Sequence, residues 1–274
     1  ETITSMEVNA EVFKAYYQNN GLERWLLDDQ LLVRPLETVW NAMLERNPTV
    51  LAEMSKLNSS TSLAINYHEM LAVILDVEVQ YEVAVAKPLL FPSNKGHSAI
   101  LDVKYYLSGT TYYVESKFLE SYYGNSLPIS HSYFNTQYYE NEEVGKKWVN
   151  FFIRINEMIQ GGEFQYYDIN QMLKHLLAIF RTKPAGRVVL RNLMWHPSEK
   201  FYGLLSKRSA SFLRKREIIL NKEILKSMDL FTDFIENVLH WTYCGVEIYS
   251  YSDVLLSVAQ HDQLECFKKK YIIE

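Results

Sequence analysis

The sequence has only two cysteines, Cys244 and Cys266, and no long apolar run. Two thiols provide neither a disulfide framework nor a four-thiolate zinc or iron–sulfur site, so we expect a cytoplasmic protein without a disulfide-linked partner. The apolar stretch Leu71–Leu75 is far too short to cross a bilayer, which predicts no membrane partner. With 10 glycines and 7 prolines, the chain is also poor in the turn formers that an all-β fold of many tight turns requires.

The remaining composition is that of an ordinary globular protein. Hydrophobic residues make up 48% of the 274 residues and charged residues 22%, which is enough apolar material for a sizeable core. This length is within reach of one large domain. We expect a helical N-terminal segment over residues 1–58, packed on a main domain over residues 59–274.

The charges are unevenly distributed, although the net charge is only −5. The segment from Arg181 to Arg216 contains ten basic residues and one acid, which gives it a charge of +9 and leaves −14 for the rest. Such a segment suits contact with nucleic-acid phosphates, and the alternative is a solvated helix face. The residues best placed for phosphate contact are Lys207, Arg208, Arg214, Lys215 and Arg216.

Strand and helix patterns alternate along the chain. Runs rich in β-branched and aromatic residues predict strands over residues 77–86, 99–107, 110–119, 187–193 and 246–251. Helical spacing of apolar residues predicts helices between them, including one from Ser59 to Leu75 and one that begins at Asp168. We therefore predict an α/β fold with a mixed central sheet flanked by helices, and with further helices at both ends of the chain.

The second and third predicted strands are separated only by Ser108 and Gly109, which predicts a hairpin with a two-residue turn. In that register Leu107 pairs with Thr110, and five pairs further on Asp102 faces Glu115. Lys117 lies two residues beyond Glu115 and projects from the same face of the strand. The hairpin thus gathers two acids and one ammonium group.

Two carboxylates directly opposite one another repel and favour a cation between them. Hard oxygen ligands suit Mg²⁺, or Mn²⁺ in its place, and a nearby lysine can stabilise charge on a phosphodiester under attack by water. The alternative is a solvent-exposed strand face on which Asp102, Glu115 and Lys117 pair only for solubility. A longer turn would also change the register and separate the two acids.

Asp102 followed by Glu115-Ser116-Lys117 resembles the motif of the PD-(D/E)xK nuclease superfamily, which has the restriction-endonuclease-like fold. The segments Ile100-Leu-Asp-Val-Lys and Tyr113-Val-Glu-Ser-Lys-Phe-Leu-Glu120 are similar to one bacterial branch of that superfamily. The resemblance covers about Ser59 to Leu193. It implies that Asp102 and Glu115 bind the metal and that Lys117 is the catalytic lysine.

The resemblance also implies a further acid and a helix motif. Family members often add an acid from the preceding helix, for which Glu69 is the candidate, or from the first core strand, for which it is Glu82. Both alternatives, a surface acid at Glu69 and an outward-facing side chain at Glu82, stay open. Gln171 and His175 project together from one helix and resemble the family's Q-x-x-x-Y motif with histidine in place of tyrosine, although a simple capped helix explains Gln171 as well.

From these features we expect a metal-dependent nuclease domain over residues 59–274 that hydrolyses DNA, with Mg²⁺ as the cofactor. A restriction or defence endonuclease is the preferred subtype, and a homodimer would allow both strands to be cut because one site cuts one strand. The alternative is a catalytically inactive module of the same fold that binds nucleic acid or a protein partner.

Overall fold

The structure is a computed structural model that describes residues 37–49, 59–92, 96–124, 127–255 and 262–271. Within these ranges the chain is an α/β protein with a five-stranded mixed sheet flanked by helices, which confirms the predicted class. Most of the predicted helical segment 1–58 lies outside the described residues. The division into an N-terminal segment and a main domain stays a prediction.

The sheet has its strands in chain order, with antiparallel pairing on one side and parallel pairing on the other. β1 with β2 and β2 with β3 are antiparallel, whereas β3 with β4 and β4 with β5 are parallel. All five strands overlap their predicted positions. They are β1 (Val79–Ala84), β2 (Ile100–Leu107), β3 (Thr110–Lys117), β4 (Arg187–Met194) and β5 (Cys244–Ser250).

Helices connect and cover the strands. The described α-helices are α1 (Glu37–Arg46), α2 (Ser60–Leu75), α3 (Glu142–Gln160), α4 (Ile169–Arg181), α5 (Glu199–Tyr202), α6 (Lys207–Asp233), α7 (Tyr251–Leu255) and α8 (Asp262–Tyr271). Short 3₁₀ turns and one π turn, Phe234–Val238, complete the order. The helical addition predicted at the C-terminal end of the sequence is described as two helices, α7 and α8.

The predicted hairpin is present with its two-residue turn. Ser108 and Gly109 have φ values of 49° and 83°, as a type I′ turn requires, and glycine adopts such an angle without strain. Backbone pairs run from Leu107 with Thr110 to Val103 with Val114, which confirms the predicted register. Past the last of these pairs, the Ser116 N–H of β3 donates to Asp102 Oδ2 of β2 at 2.6 Å.

Local capping explains where the two helices nearest the site begin. The Ser59 hydroxyl accepts from the Ser62 N–H at the start of α2, and Asp168 Oδ1 accepts from the Gln171 N–H at the start of α4. Along α4 the fully buried stripe of Leu173, Leu176 and Ile179 packs into the core. This packing turns the other face of the helix, which carries Gln171 and His175, toward β3.

Two structural observations bear on the predictions that the protein has no disulfide-linked partner and no membrane partner. Both cysteines, Cys244 and Cys266, are free thiols. Among the described helices, none combines the length and apolar character of a membrane-spanning segment.

Candidate active site

Four polar side chains form a row across the sheet. Glu82 of β1 and Glu115 of β3 are both close enough to Asp102 of β2 for their charges to raise its pKa, which puts the three acids at one level of the sheet. Glu115 is in turn the parallel partner of Asn192 in β4. Side chains at one level of adjacent strands point to the same face, so we call Glu82, Asp102 and Glu115 the acid row.

Glu115 is the centre of the hydrogen bonding at this row. It is 5% exposed, its Oε1 accepts from Lys117 Nζ at 2.7 Å and from Gln171 Nε2 at 2.8 Å, and its Oε2 lies 3.1 Å from His175 Nε2. Burial acts to raise the pKa of Glu115, but the Lys117 ammonium and His175 outweigh it and bring the pKa down to about 2. Glu115 is therefore ionised at neutral pH.

The pKa of Asp102 is shifted in the opposite direction from that of Glu115. Burial, together with the charges of Glu115 and Glu82, raises the pKa of Asp102 well above its ordinary value, and the Lys117 charge offsets this only in part. Three carboxylates thus share one nearby lysine. This surplus of negative charge is what a bound cation would neutralise.

Lys117 remains an ammonium group despite its surroundings. Burial acts to lower the pKa of Lys117, but the charges of Glu115 and Asp102 raise it above the usual value for lysine. The side chain is 20% exposed, so its positive charge is accessible from one side of the row. Lys117 can therefore donate hydrogen bonds to an anion but does not act as a base at neutral pH.

The two candidates for a third acid have different positions. Glu82 is 7% exposed, accepts from Asn47 Nδ2 at 3.2 Å and has a φ of 50°, an angle that a non-glycine residue seldom adopts within a strand. Glu69 accepts from the Tyr81 hydroxyl at 2.7 Å, and no contact in the described part of the chain joins it to Asp102 or Glu115. The structure brings Glu82 to the row and not Glu69, whose assigned role stays a prediction.

The predicted phosphate-binding residues lie along the first half of α6. Arg214 forms a two-pronged ion pair with Glu199, at 2.8 and 2.6 Å, and stacks on Tyr202. Arg216 donates to the Tyr122 carbonyl and lies 4.0 Å from the centre of the Phe212 ring. The other three, Lys207, Arg208 and Lys215, are exposed on this helix.

Sequence reasoning missed two residues at the site. Asn192 Nδ2 donates to the Glu115 carbonyl at 2.9 Å, and Asp168 is close enough to Lys117 for their charges to interact. Both line a cavity of about 10 Å³ together with Lys117 and Gln171, a volume that suits one water molecule. The capping signal identified Asp168 as a helix start only, and no local pattern indicated the parallel register that places Asn192 beside Glu115.

The acid row fits a hard divalent cation. Asp102 Oδ1 accepts no hydrogen bond within the described ranges, so it is available as a metal ligand. Glu115 Oε2 has one close neighbour, His175 Nε2, and a carboxylate oxygen has two lone pairs, so one lone pair is left for a metal ion. The described residues contain no group of three His, Cys, Asp or Glu side chains already arranged around one point. Mg²⁺ does not require one, because it is held in proteins by one or two carboxylates and completes its shell with water and phosphate.

We compared the chain with known protein families, with characterised proteins and with solved structures, and none of these comparisons finds a match. The geometry of the site is therefore what supports a function.

Proposed function

We propose that the protein is a metal-dependent nuclease with a restriction-endonuclease-like core that hydrolyses phosphodiester bonds in DNA, as a restriction or defence endonuclease. The observation that carries the proposal is the convergence of Asp102, Glu115 and Lys117 with Gln171 and His175. These groups come from the β2–β3 hairpin and from α4, which begins more than 50 residues after the hairpin ends. A hairpin decorated for solubility would not bury its acids under a third element.

In this proposal Asp102 and Glu115 hold Mg²⁺, or Mn²⁺ in its place, and Glu82 adds negative charge beside them. When bound, the ion would polarise the phosphodiester and lower the pKa of a water molecule. Gln171 and Lys117 hold Glu115 in one orientation through its Oε1. Asn192 fixes the backbone of the same residue.

Lys117 has the second chemical role. Its ammonium group stays protonated and partly exposed, so it can donate to a phosphate oxygen on which negative charge accumulates. The single-water cavity is lined by Lys117, Asp168, Gln171 and Asn192, which offer donors and acceptors to orient a water molecule.

The test is cleavage of supercoiled plasmid by the purified protein with Mg²⁺, with Mn²⁺ or with chelator. We expect nicking in the presence of either ion and none with chelator. Glu115→Gln should reduce the nicking rate at least about a hundredfold, because it removes a charge that the ion needs while retaining a similar shape. Glu143→Gln, an exposed acid of α3, is the matched control and should cleave like the unmodified protein.

A test of metal binding distinguishes the alternative, an inactive module of the same fold that would bind no metal. One observation supports this alternative: Lys117 and Gln171 already donate to Glu115 Oε1. In an inactive protein the Lys117 ammonium would therefore neutralise the Glu115 charge without a metal ion. An active protein should gain thermal stability with Mn²⁺, and this gain should be lost in Glu115→Gln. Nicking by Glu115→Gln at the normal rate would refute the nuclease assignment to this site, whereas absence of both nicking and thermal shift would favour the inactive module.

A further inference from the structure

A cleft of about 310 Å³ lies beside the first half of α4, the helix whose Gln171 and His175 contact Glu115. Its walls come from the loop between β1 and β2, from the 3₁₀ turn His131–Phe134 and from α4. Gln171 and His175 line this cleft, and their side chains also contact the carboxylate of Glu115. The cleft therefore adjoins the proposed reaction site, and it is larger than the single-water cavity described above.

The chemistry of the cleft walls is distinctive. They are mostly apolar, with the aromatic rings of Phe91 and Tyr133 among them. Among the described residues that line the cleft, the charged and ionisable ones are two lysines, Lys87 and Lys174, and two histidines, with no carboxylate. An apolar pocket with only basic ionisable groups suits a ligand that combines a flat ring system with an anion.

A buried polar atom also points to a missing ligand. His175 is only 5% exposed, and neither of its ring nitrogens has a hydrogen-bond partner of good geometry among the described residues. Nε2 nevertheless lies 3.1 Å from Glu115 Oε2. Buried ring nitrogens seldom lack a partner, so a group bound in the cleft would complete the hydrogen bonding of His175.

We propose that this cleft takes an unpaired nucleotide and that the substrate is single-stranded DNA or an unpaired stretch of DNA. The inference rests on the proposed nuclease function and names its substrate class. In a duplex the base faces are stacked on one another, and the outer surface presents only sugars, phosphates and base edges. Aromatic and apolar walls therefore have little to contact on a duplex, whereas a free base can stack on them.

The burial of the site supports the same conclusion. Glu115, Glu82 and His175 each have less than a tenth of their surface exposed. A phosphate on a stiff duplex reaches such a recess only when the duplex or the protein opens locally, whereas a flexible single strand enters directly and should be the faster substrate. The cavity volume suits one nucleotide, with Lys174 and Lys87 near its phosphate.

The first test measures binding in chelator, where hydrolysis cannot occur. Fluorescence anisotropy would compare a labelled single-stranded 15-mer with the same sequence as a duplex. We expect the single strand to bind at least about tenfold more tightly. Tyr133→Leu should weaken this binding about fivefold to a hundredfold, the range for loss of one base–aromatic stack, and should leave duplex binding unchanged.

Tyr133 also packs on Phe152, so a second variant guards against misfolding. Lys174→Gln removes the half-buried ammonium group that lies 5.4 Å from the centre of the Tyr133 ring, and should likewise weaken binding of the single strand. The matched controls are Tyr243→Leu and Lys222→Gln, both exposed and outside the cleft, and neither should affect binding. Equal affinity for single strand and duplex, or normal binding by both cleft variants, would overturn the inference.

The second test separates this inference from the proposed function. With Mg²⁺, a plasmid containing a single-stranded gap should be cleaved at the gap faster than an intact plasmid. Cleavage at equal rates inside and outside the gap would overturn the cleft assignment while leaving the nuclease function intact. If the protein binds the single strand selectively but cleaves no substrate, the nuclease function is rejected, whereas the assignment of the cleft to an unpaired nucleotide is retained.

Discussion

At the scale of single residues, burial decides how ionisable groups behave in this protein. His68 lies fully buried on α2, where its Nδ1–H donates to the Ala64 carbonyl at 2.8 Å and its ring meets the edge of Tyr67. Burial lowers the pKa of His68 from 6.5 to about 3, the Ala64 hydrogen bond opposes that change, and the positive charge of Arg191 adds to it. The ring is therefore neutral in the folded protein at every pH above about 4.

His68 should make the protein sensitive to mild acid. In the unfolded chain the ring takes up a proton below about pH 6.5, whereas in the folded chain it does so only near pH 3. Folding stability from this group is complete above pH 6.5 and is lost as the pH falls toward 3, by about 1.4 kcal/mol per pH unit. Urea unfolding of His68→Phe should show about 2 kcal/mol less loss between pH 6.5 and 5 than the unmodified protein.

The exposed His240→Asn provides the comparison for this measurement, because its ring lies at the surface and its φ of 53° is one that asparagine tolerates. Its acid profile should match that of the unmodified protein. If His68→Phe loses stability with acid as steeply as His240→Asn does, His68 is not the group that titrates.

At the scale of elements, α6 fixes the segment that leads into α4, the helix that contacts Glu115. Glu223 is 3% exposed, and its carboxylate accepts three backbone N–H groups, from Gln165 at 2.7 Å, Tyr166 at 2.9 Å and Tyr167 at 2.7 Å. The next residue is Asp168, which caps α4. One buried acid on the basic helix thus sets the position of the residues that hold Glu115.

Replacing Glu223 should affect stability and activity together. Glu223→Gln has one fewer acceptor oxygen and places an NH₂ group against backbone donors, so we expect a loss of about 2–4 kcal/mol in the free energy of unfolding. The first turn of α4 should shift, and the nicking rate should fall at least about tenfold at temperatures where the variant is folded. Urea unfolding and the plasmid assay measure the two effects, with the exposed Glu157→Gln as control. Normal activity in a destabilised Glu223→Gln would show that this anchor does not position the site.

The distinction between local and non-local contacts explains which parts of the site were predictable. The turn at Ser108 and Gly109 sets the pairing of β2 and β3, so the meeting of Asp102 with Glu115 follows from sequence spacing alone. The 3.6-residue period of α4 likewise predicted that Gln171 and His175 project together. The parallel pairing of Glu115 with Asn192 spans 77 residues, and the α6 anchor depends on tertiary packing, so neither leaves a local signal.

At the scale of the whole molecule, the basic segment is only partly available to a ligand. Arg191 pairs with Glu247 at 2.7 Å, Arg214 is held by Glu199, and Arg216 by the Tyr122 carbonyl. These contacts use positive charge to stabilise the fold. Lys207 and Lys215 remain exposed on α6, and the helix runs past Tyr122 and Tyr166 at the edge of the site.

The salt dependence of DNA binding should therefore come from few residues. Lys207 and Lys215 are separated by about 12 Å along the helix axis, so they can contact two different phosphates of one strand. If each neutralises one phosphate, the double variant Lys207→Gln/Lys215→Gln should reduce the slope of log affinity against log salt by about 1.4 for a single strand. Anisotropy titrations at several salt concentrations give this slope, and exposed Lys222→Gln should leave it unchanged. A slope that stays the same in the double variant would mean that the acidic protein holds DNA through the cleft without help from α6.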